Sequence, residues 1–320
     1  MTRAGQRSAQ ESAQESAQQR GHRVGERPDA PEPLPHPVVD NHCHLDIPAN
    51  DGPGEPVPVA DALARAAAVG VPRIVQIGCD LPGARWAVDV AAAHDDVVAG
   101  VALHPNDAAR LDAAGRLDEA LAEIAELAGH DRVRAVGETG LDHFRTGPEG
   151  HAAQVRSFQR HIELAHELDK TLVIHDRDAH ADVVRVLDEV GPPPRWVMHC
   201  FSGDVAFAEE CLARGAYLSF AGTVTFKNAE PLRAALRATP RDRILVETDA
   251  PYLTPAPHRG RPNASYLVPL TVRAMAATLE VDLAELCRAL DANTDRAFGG
   301  PWGARSTAEK PGETGPNRVR

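Results

Sequence analysis

The stretch VVDNHCHLD, residues 38–46, begins as an apolar, β-branched run and turns at once into histidine and aspartate. It reads as a strand over 38–42 whose C-terminal end carries polar side chains. A dinucleotide-binding open sheet would follow its first strand with a glycine-rich turn, and HCHLD contains no glycine. Seven further runs have the same character: 73–78 (RIVQIG), 97–103 (VVAGVAL), 133–138 (VRAVGE), 171–175 (TLVIH), 195–199 (RWVMH), 216–220 (AYLSF) and 243–248 (RILVET). Each is short and mostly apolar, as strands buried on both faces of a parallel sheet are. Between them, at 58–69, 82–93, 116–128, 151–168, 179–189, 204–213 and 229–238, Ala, Leu, Glu and Arg recur at helical spacing. Two more helices are expected at 266–278 and 283–297. Eight βα units in roughly 260 residues predict an α/β protein with a single (β/α)8 TIM barrel domain.

Outside this body the character changes. Residues 1–36 are rich in Gln, Ser, Glu, Arg and Pro, contain SAQESAQESAQ, and offer too little apolar surface to offset chain entropy. They are expected to be a disordered tail, with the barrel over 37–299 and a second disordered tail over 300–320. No run approaches the roughly 18 apolar residues of a membrane span, and the N-terminus lacks a secretory apolar stretch, so a cytoplasmic protein with no membrane partner is expected. The five cysteines, Cys43, Cys79, Cys200, Cys211 and Cys287, are scattered, which fits free thiols rather than a disulfide framework or a zinc ribbon. The net charge is -12 and only three lysines are present, so charge alone speaks against a nucleic-acid partner. Bound divalent cations would reverse that sign locally.

The polar side chains that could hold such cations fall at strand ends. His42 and His44 end the first strand, Glu138 the fourth, His175 the fifth, His199 the sixth, and Asp249 follows the eighth. In a (β/α)8 barrel these ends converge on one mouth. Alternate residues of an extended segment point the same way, so His42 and His44 can reach one ion. Two carboxylates and four imidazoles suit one or two divalent ions, with Glu138 the bridging candidate because a carboxylate has two oxygens to share. Two ions would activate a water and clamp a displacement. Asp249 is placed to be ligand and proton acceptor, or else to cap the turn into PYLTP. His104, in ALHP, either meets substrate or a ligand, or holds the loop before Pro105. Arg177 either forks onto a phosphate or pairs with Asp176 or Asp178. His258, Arg259 and Arg261 could form a phosphate rim. Cys200 should point away from the pocket if its strand alternates.

At these residues the chain resembles a known family. NHCHLD (41–46), ALHP (102–105), GETGLD (137–142), VIHDRDA (173–179), HCFSG (199–203) and ETDAPYL (247–253) are similar, in order, to the signatures of the TatD metal-dependent deoxyribonucleases of the amidohydrolase-like barrel group. The resemblance implies hydrolysis of DNA phosphodiester bonds, commonly as a 3′ to 5′ exonuclease, with DNA as the substrate partner. It implies two divalent ions, the first held by His42, His44, Glu138 and Asp249 and the second by Glu138, His175 and His199. It places His104 on the substrate side or behind a ligand. Magnesium is the ion the family implies, whereas four imidazoles suit zinc or manganese. The chain departs from the family at His143-Phe144 after GLD, at His-Asp-Arg in place of His-Ser-Arg, and at RPNASYLV in place of an Asn-Glu-Pro pattern. An alternative is a metal-dependent acyl or amide hydrolase, such as a D-aminoacyl-tRNA deacylase or a lactonase, because the same ions polarise a carbonyl. A barrel retained as a non-enzymatic partner protein is the third reading. The oligomeric state is open, and a monomer is compatible with it.

Overall fold

A computed structural model describes residues 25–49 and 56–303. Eight parallel strands form one sheet in the order β1 to β8: β1 (Val39–Cys43), β2 (Arg73–Gly78), β3 (Val97–Val101), β4 (Val133–Asp142), β5 (Thr171–Arg177), β6 (Trp196–Met198), β7 (Tyr217–Phe220) and β8 (Ile244–Val246). The first and last strands close the ring: Asn41 Nδ2 donates to the Val246 carbonyl at 2.9 Å, and Cys43 bridges to Ala250. The helices among the described residues are α1 (Val59–Ala67), α2 (Leu81–Ala93), α3 (Pro105–Ala113), α4 (Leu117–Ala128), α5 (Pro148–Glu167), α6 (His180–Val190), α7 (Val205–Ala213), α8 (Glu230–Ala238), α9 (Val268–Leu279) and α10 (Leu283–Ala297). The (β/α)8 barrel expected from the sequence is therefore the fold. Helix α3 was not expected, because only four of the nine residues of PNDAARLDA, three Ala and one Leu, are apolar; Pro105 starts it and His104 caps it by accepting from Asn106 N. Among the described residues no helix is long and apolar enough to cross a membrane.

Two apolar layers hold the barrel. One lies between sheet and helices; the other fills the barrel with Val39, Val75, Ile77, Val98, Ala135, Val173, Val197, Tyr217 and Leu245, closed at the N-terminal end by Phe298 and Trp302. Arg73 is buried at that floor, ion-paired with Asp291 and, at 2.8 Å, Asp295, its guanidinium 4.7 Å over the Trp302 ring. The barrel thus needs residues beyond the expected boundary at 299. Its start also comes earlier. Residues 25–36 form no helix or strand, yet Leu34 is buried and donates to Val69 O at 3.0 Å, and Tyr266 Oη donates to Pro28 O at 2.6 Å. The remaining parts of the expected tails, 1–24 and 304–320, lie outside the described residues.

Strands β4 and β5 run on past Glu138 and His175, so these two residues sit within their strands rather than at the ends. The glycines of GETG let the strands approach. A Cβ on Gly137 would fall 2.5 Å from Val173 Cβ, and one on Gly140, at φ +132°, would fall 2.1 Å from the His175 carbonyl oxygen. Gly140→Ala should therefore lower stability by at least about 2 kcal/mol, read as a fall of several degrees in the thermal midpoint.

Beneath Glu138, Thr139 Oγ1 lies 2.8 Å from Nδ1 of the buried His161 on α5, whose Nε2 accepts from Leu103 N at 3.4 Å. Burial pushes His161 down from 6.5 to about 3. Only the unfolded chain takes up that proton between these values, so the stabilisation is complete above pH 6.5 and lost as pH falls toward 3. In His161→Gln this component disappears. The stability gap between wild type and variant should be about 2 kcal/mol smaller at pH 5 than at pH 7 by denaturant titration, and an unchanged gap would contradict the neutral assignment.

Candidate metal centre

The inward face of the ring changes from apolar at the floor to polar at the mouth by simple alternation on several strands. Val173 leads to His175, Val197 to His199, Leu245 to Glu247, and Ile77 to Cys79. On β1 and β4 the alternation breaks. The pairing register shifts between Asp40 and Cys43 and again between Val136 and Thr139. Each shift changes the phase by one residue. Val39 faces the barrel interior and Cys43 the outer layer, while His42 and His44 face the mouth; Ala135 faces inward, and so does Glu138. Around β1, Asp40 Oδ1 accepts from Thr248 N at 2.8 Å, and Gln76 accepts from Leu45 N at 2.8 Å and donates to Asp46 at 2.9 Å.

Glu138 is the hub. Its Oε2 lies 2.9 Å from His199 Nε2, 3.5 Å from His42 Nε2 and 3.7 Å from His175 Nδ1. Its Oε1 accepts from Cys79 Sγ at 3.2 Å and lies 3.8 Å from His104 Nε2. Asp249 Oδ1 lies 3.3 Å from His44 Nε2 and 3.9 Å from His42 Nε2. The six residues singled out at strand ends are therefore gathered in one mouth. Their ligating atoms form overlapping groups: His42, His44 and Asp249; His42, Glu138 and His199; His44, Cys79 and Glu138; and His104, Asp142 and His175. Asp249 is not a turn cap through its side chain: it holds φ +55°, its N–H donates to His42 O at 2.9 Å, and its carboxylate faces the histidines.

Three residues not singled out from the sequence complete the mouth: Cys79, Asp142 and Glu247. Glu247 Oε1 accepts from His199 Nδ1 at 2.8 Å, which aims Nε2 at Glu138. Asp142 Oδ2 stands 3.5 Å from His175 Nε2 in the same relation. Continuing the alternation one step along β2 and β8 would have found Cys79 and Glu247. His104 caps α3 through Nδ1, and its Nε2 lies 3.8 Å from Glu138 Oε1. Arg177 forms no ion pair with Asp176 or Asp178 among the described residues; Asp176 pairs with His180 at 2.5 Å, and the Arg177 guanidinium lies 4.0 Å over the Phe144 ring. Arg261 does not join a phosphate rim, because it donates to the carbonyls of Glu26 and Arg27. Cys200 belongs to none of the ligand groups, as the alternation predicts.

Burial, with His199 next to it, holds His42 well below 6.5. Burial and then His175 hold His104 down at about 3. Burial would also depress His44 and His199, but carboxylates outweigh it: Asp249 holds His44 up at about 9, and Glu247 with Glu138 holds His199 well above 6.5. Burial would raise Glu138, yet His199 and His175 keep it well below the usual carboxylate range. Several buried polar atoms of the site have no hydrogen-bond partner among the described residues: His175 Nε2, Glu247 Oε2 and both ring nitrogens of His42, which is 1% exposed and stacks on His199 at 3.7 Å.

A parallel barrel whose mouth gathers histidines and carboxylates around a central glutamate is the architecture of metal-centred barrel hydrolases. The chain belongs to the TatD related DNase family, whose model matches residues 39–299. It is 43% identical over 270 residues to a metal-dependent hydrolase TatD of Mycobacterium tuberculosis, covering 83% of this chain and 99% of that one. It is 36% identical over 244 residues to the 3′-5′ ssDNA/RNA exonuclease TatD of Cronobacter sakazakii, covering 74% and 90%. Among solved structures, the TatD homolog YjjV of Escherichia coli superposes with a TM-score of 0.73 at 25% identity, covering 82% of this chain and 98% of that one.

An unpartnered buried imidazole is a cost that an ion would remove. In chelator-treated protein, His42→Leu should raise the thermal midpoint by a few degrees, an effect of about 1–3 kcal/mol. A lower midpoint would mean that the two nitrogens are satisfied.

Proposed function

We propose that this protein is a divalent-metal-dependent phosphodiesterase that hydrolyses DNA at the mouth of the barrel, in the manner of a 3′ to 5′ exonuclease. The observation that carries the reading is the donor set around Glu138 and Asp249, with a buried His42 whose ring nitrogens have no hydrogen-bond partner among the described residues. His42, His44, Glu138 and Asp249 would hold one ion, and Glu138, His175 and His199 the second. The printed activity of the Cronobacter relative supports the same chemistry. Four imidazoles favour zinc or manganese, while the family resemblance favours magnesium. Such ions supply Lewis acidity toward a phosphoryl oxygen and lower the pKa of water.

The chain's own groups do the rest. Asp249, partly open to solvent, is the carboxylate able to accept a proton from the attacking water. His104 is neutral, and with Nδ1 accepting from Asn106 its Nε2–H points at the centre, where it can donate to a non-bridging or leaving oxygen. Glu247 keeps His199 in one orientation and one tautomer, and the Asp142 carboxylate stands 3.5 Å behind His175. The β4 position is a glutamate, so the carbamylated lysine of a lactonase-type centre has no counterpart here.

Purified protein should contain divalent metal by elemental analysis and release nucleotides from DNA, with chelation abolishing release. Glu138→Ala should lose both metal and activity. Asp249→Asn should lower kcat by about 100-fold or more. Metal-loaded protein that is inert on single- and double-stranded DNA, yet turns over ester or aminoacyl substrates, would reject the phosphodiesterase reading.

A further inference from the structure

A small pocket adjoins the centre at His44. Its wall is formed by His44, by Ala250 and Pro251 just after Asp249, by Tyr266, and by two arginines, Arg27 and Arg65. His44 belongs to the centre as well: its Nε2 lies 3.3 Å from Asp249 Oδ1, while its backbone N–H donates to Ala250 O at 2.8 Å. Arg65, in the last turn of α1, is exposed and lays its guanidinium 4.3 Å over the Tyr266 ring. Among the described residues it has no ion-pair partner. Arg27 belongs to the run that precedes the segment matched by the family model. That run is pinned in place, because Arg261 donates to the carbonyls of Glu26 and Arg27, and Tyr266 Oη donates to Pro28 O at 2.6 Å. Burial raises the Tyr266 phenol against the pull of Arg65, Arg27 and Arg261, and Asp29 adds to the rise. Three positive charges and one negative therefore gather around this ring.

We propose that this pocket is a subsite for a phosphate of the substrate strand beside the one being cut, with Arg65 its principal contact and Arg27 a second positive charge. This rests on the phosphodiesterase reading and adds to it a fixed place for the strand. A chain of net charge -12, with carboxylates at its centre, offers a polyanion little attraction at large. Beside His44 that sign is reversed, on a wall that the metal-binding groups share. Arg65 is not neutralised by a described carboxylate, and a guanidinium stacked on a ring keeps its edge N–H groups for phosphate oxygens. Arg27 contributes charge whatever else its guanidinium binds. The enclosed space is about 20 Å3, roughly what one water needs. One phosphate oxygen enters it, and the rest of the group stays at the open rim with the exposed Arg65. Through Arg27, the run ahead of the barrel becomes part of the binding surface.

The test measures anisotropy of a short phosphorothioate single strand on the metal-loaded full-length protein, beside strands in which one linkage at a time is a neutral methylphosphonate. On wild type, one linkage next to the cut should be the costly one to neutralise. Arg65→Gln should weaken the fully charged strand about three- to thirtyfold and lower the slope of log affinity against log salt by about 0.7. It should also bind the strand neutralised at that linkage no worse than the charged one, since the contact is already gone. Arg27→Gln should move each quantity the same way by less, and Arg65→Lys should recover part of the affinity. Equal weakening of every strand, or no weakening of any, overturns the subsite while leaving phosphodiester cleavage at the centre intact. A wild type that neither binds nor cuts any strand overturns both readings.

Discussion

A buried imidazole without a hydrogen-bond partner is among the least comfortable objects a protein interior can hold, and among the described residues His42 has none for either ring nitrogen at the centre of this mouth. Its neighbours cannot relieve it. Glu138 Oε2 is closest to His199, and Asp249 is closest to His44, so His42 stands at 3.5 and 3.9 Å from carboxylates already engaged. The arrangement is coherent only if something small and positive can sit between these groups. The depth of the mouth, the carboxylates behind His199 and His175, and the neutral His104 all follow from that requirement.

The barrel accommodates this by dividing its interior along the axis. The floor is closed by Phe298 and Trp302 around the Arg73 ion pairs, and most of the buried apolar side chains lie in the layer between sheet and helices. The donor side chains that gather around Glu138 lie toward the C-terminal half of the ring, above the apolar filling of the barrel. His161 and Thr139 support β4 from the outer layer, against a histidine that burial keeps neutral. The rigid part and the reactive part therefore share strands without sharing side chains.

The repeat of short apolar runs and helical segments was enough to read the ring, because a parallel strand buried on both faces leaves an unmistakable apolar run. The six donors were legible because barrel topology turns distant strand ends into neighbours. The route by which His42, His44 and Glu138 arrive was not legible. Alternation from Val39 and Ala135 would have aimed them outward, and only the register shifts on β1 and β4 bring them in. Such a shift depends on the partner strand and leaves no local pattern. Cys79 and Glu247 were within reach of the same alternation that located His175 and His199. The run from Gly25 to His36 was misread because its anchors, Tyr266, Arg261 and Arg273, lie over two hundred residues away.

The floor also decides where the domain ends. The family match stops at 299, but Phe298 and Trp302 are what keep water from the underside of the strands, and Trp302 lies across the guanidinium of Arg73 while its Nε1 donates to Asp96 O at 3.3 Å. A polypeptide cut at Gly299 would retain every motif and Phe298 but lose Trp302 from the plug. Wetting would then begin at the end of the barrel farthest from the chemistry, where Trp302 would no longer cover the Arg73 guanidinium.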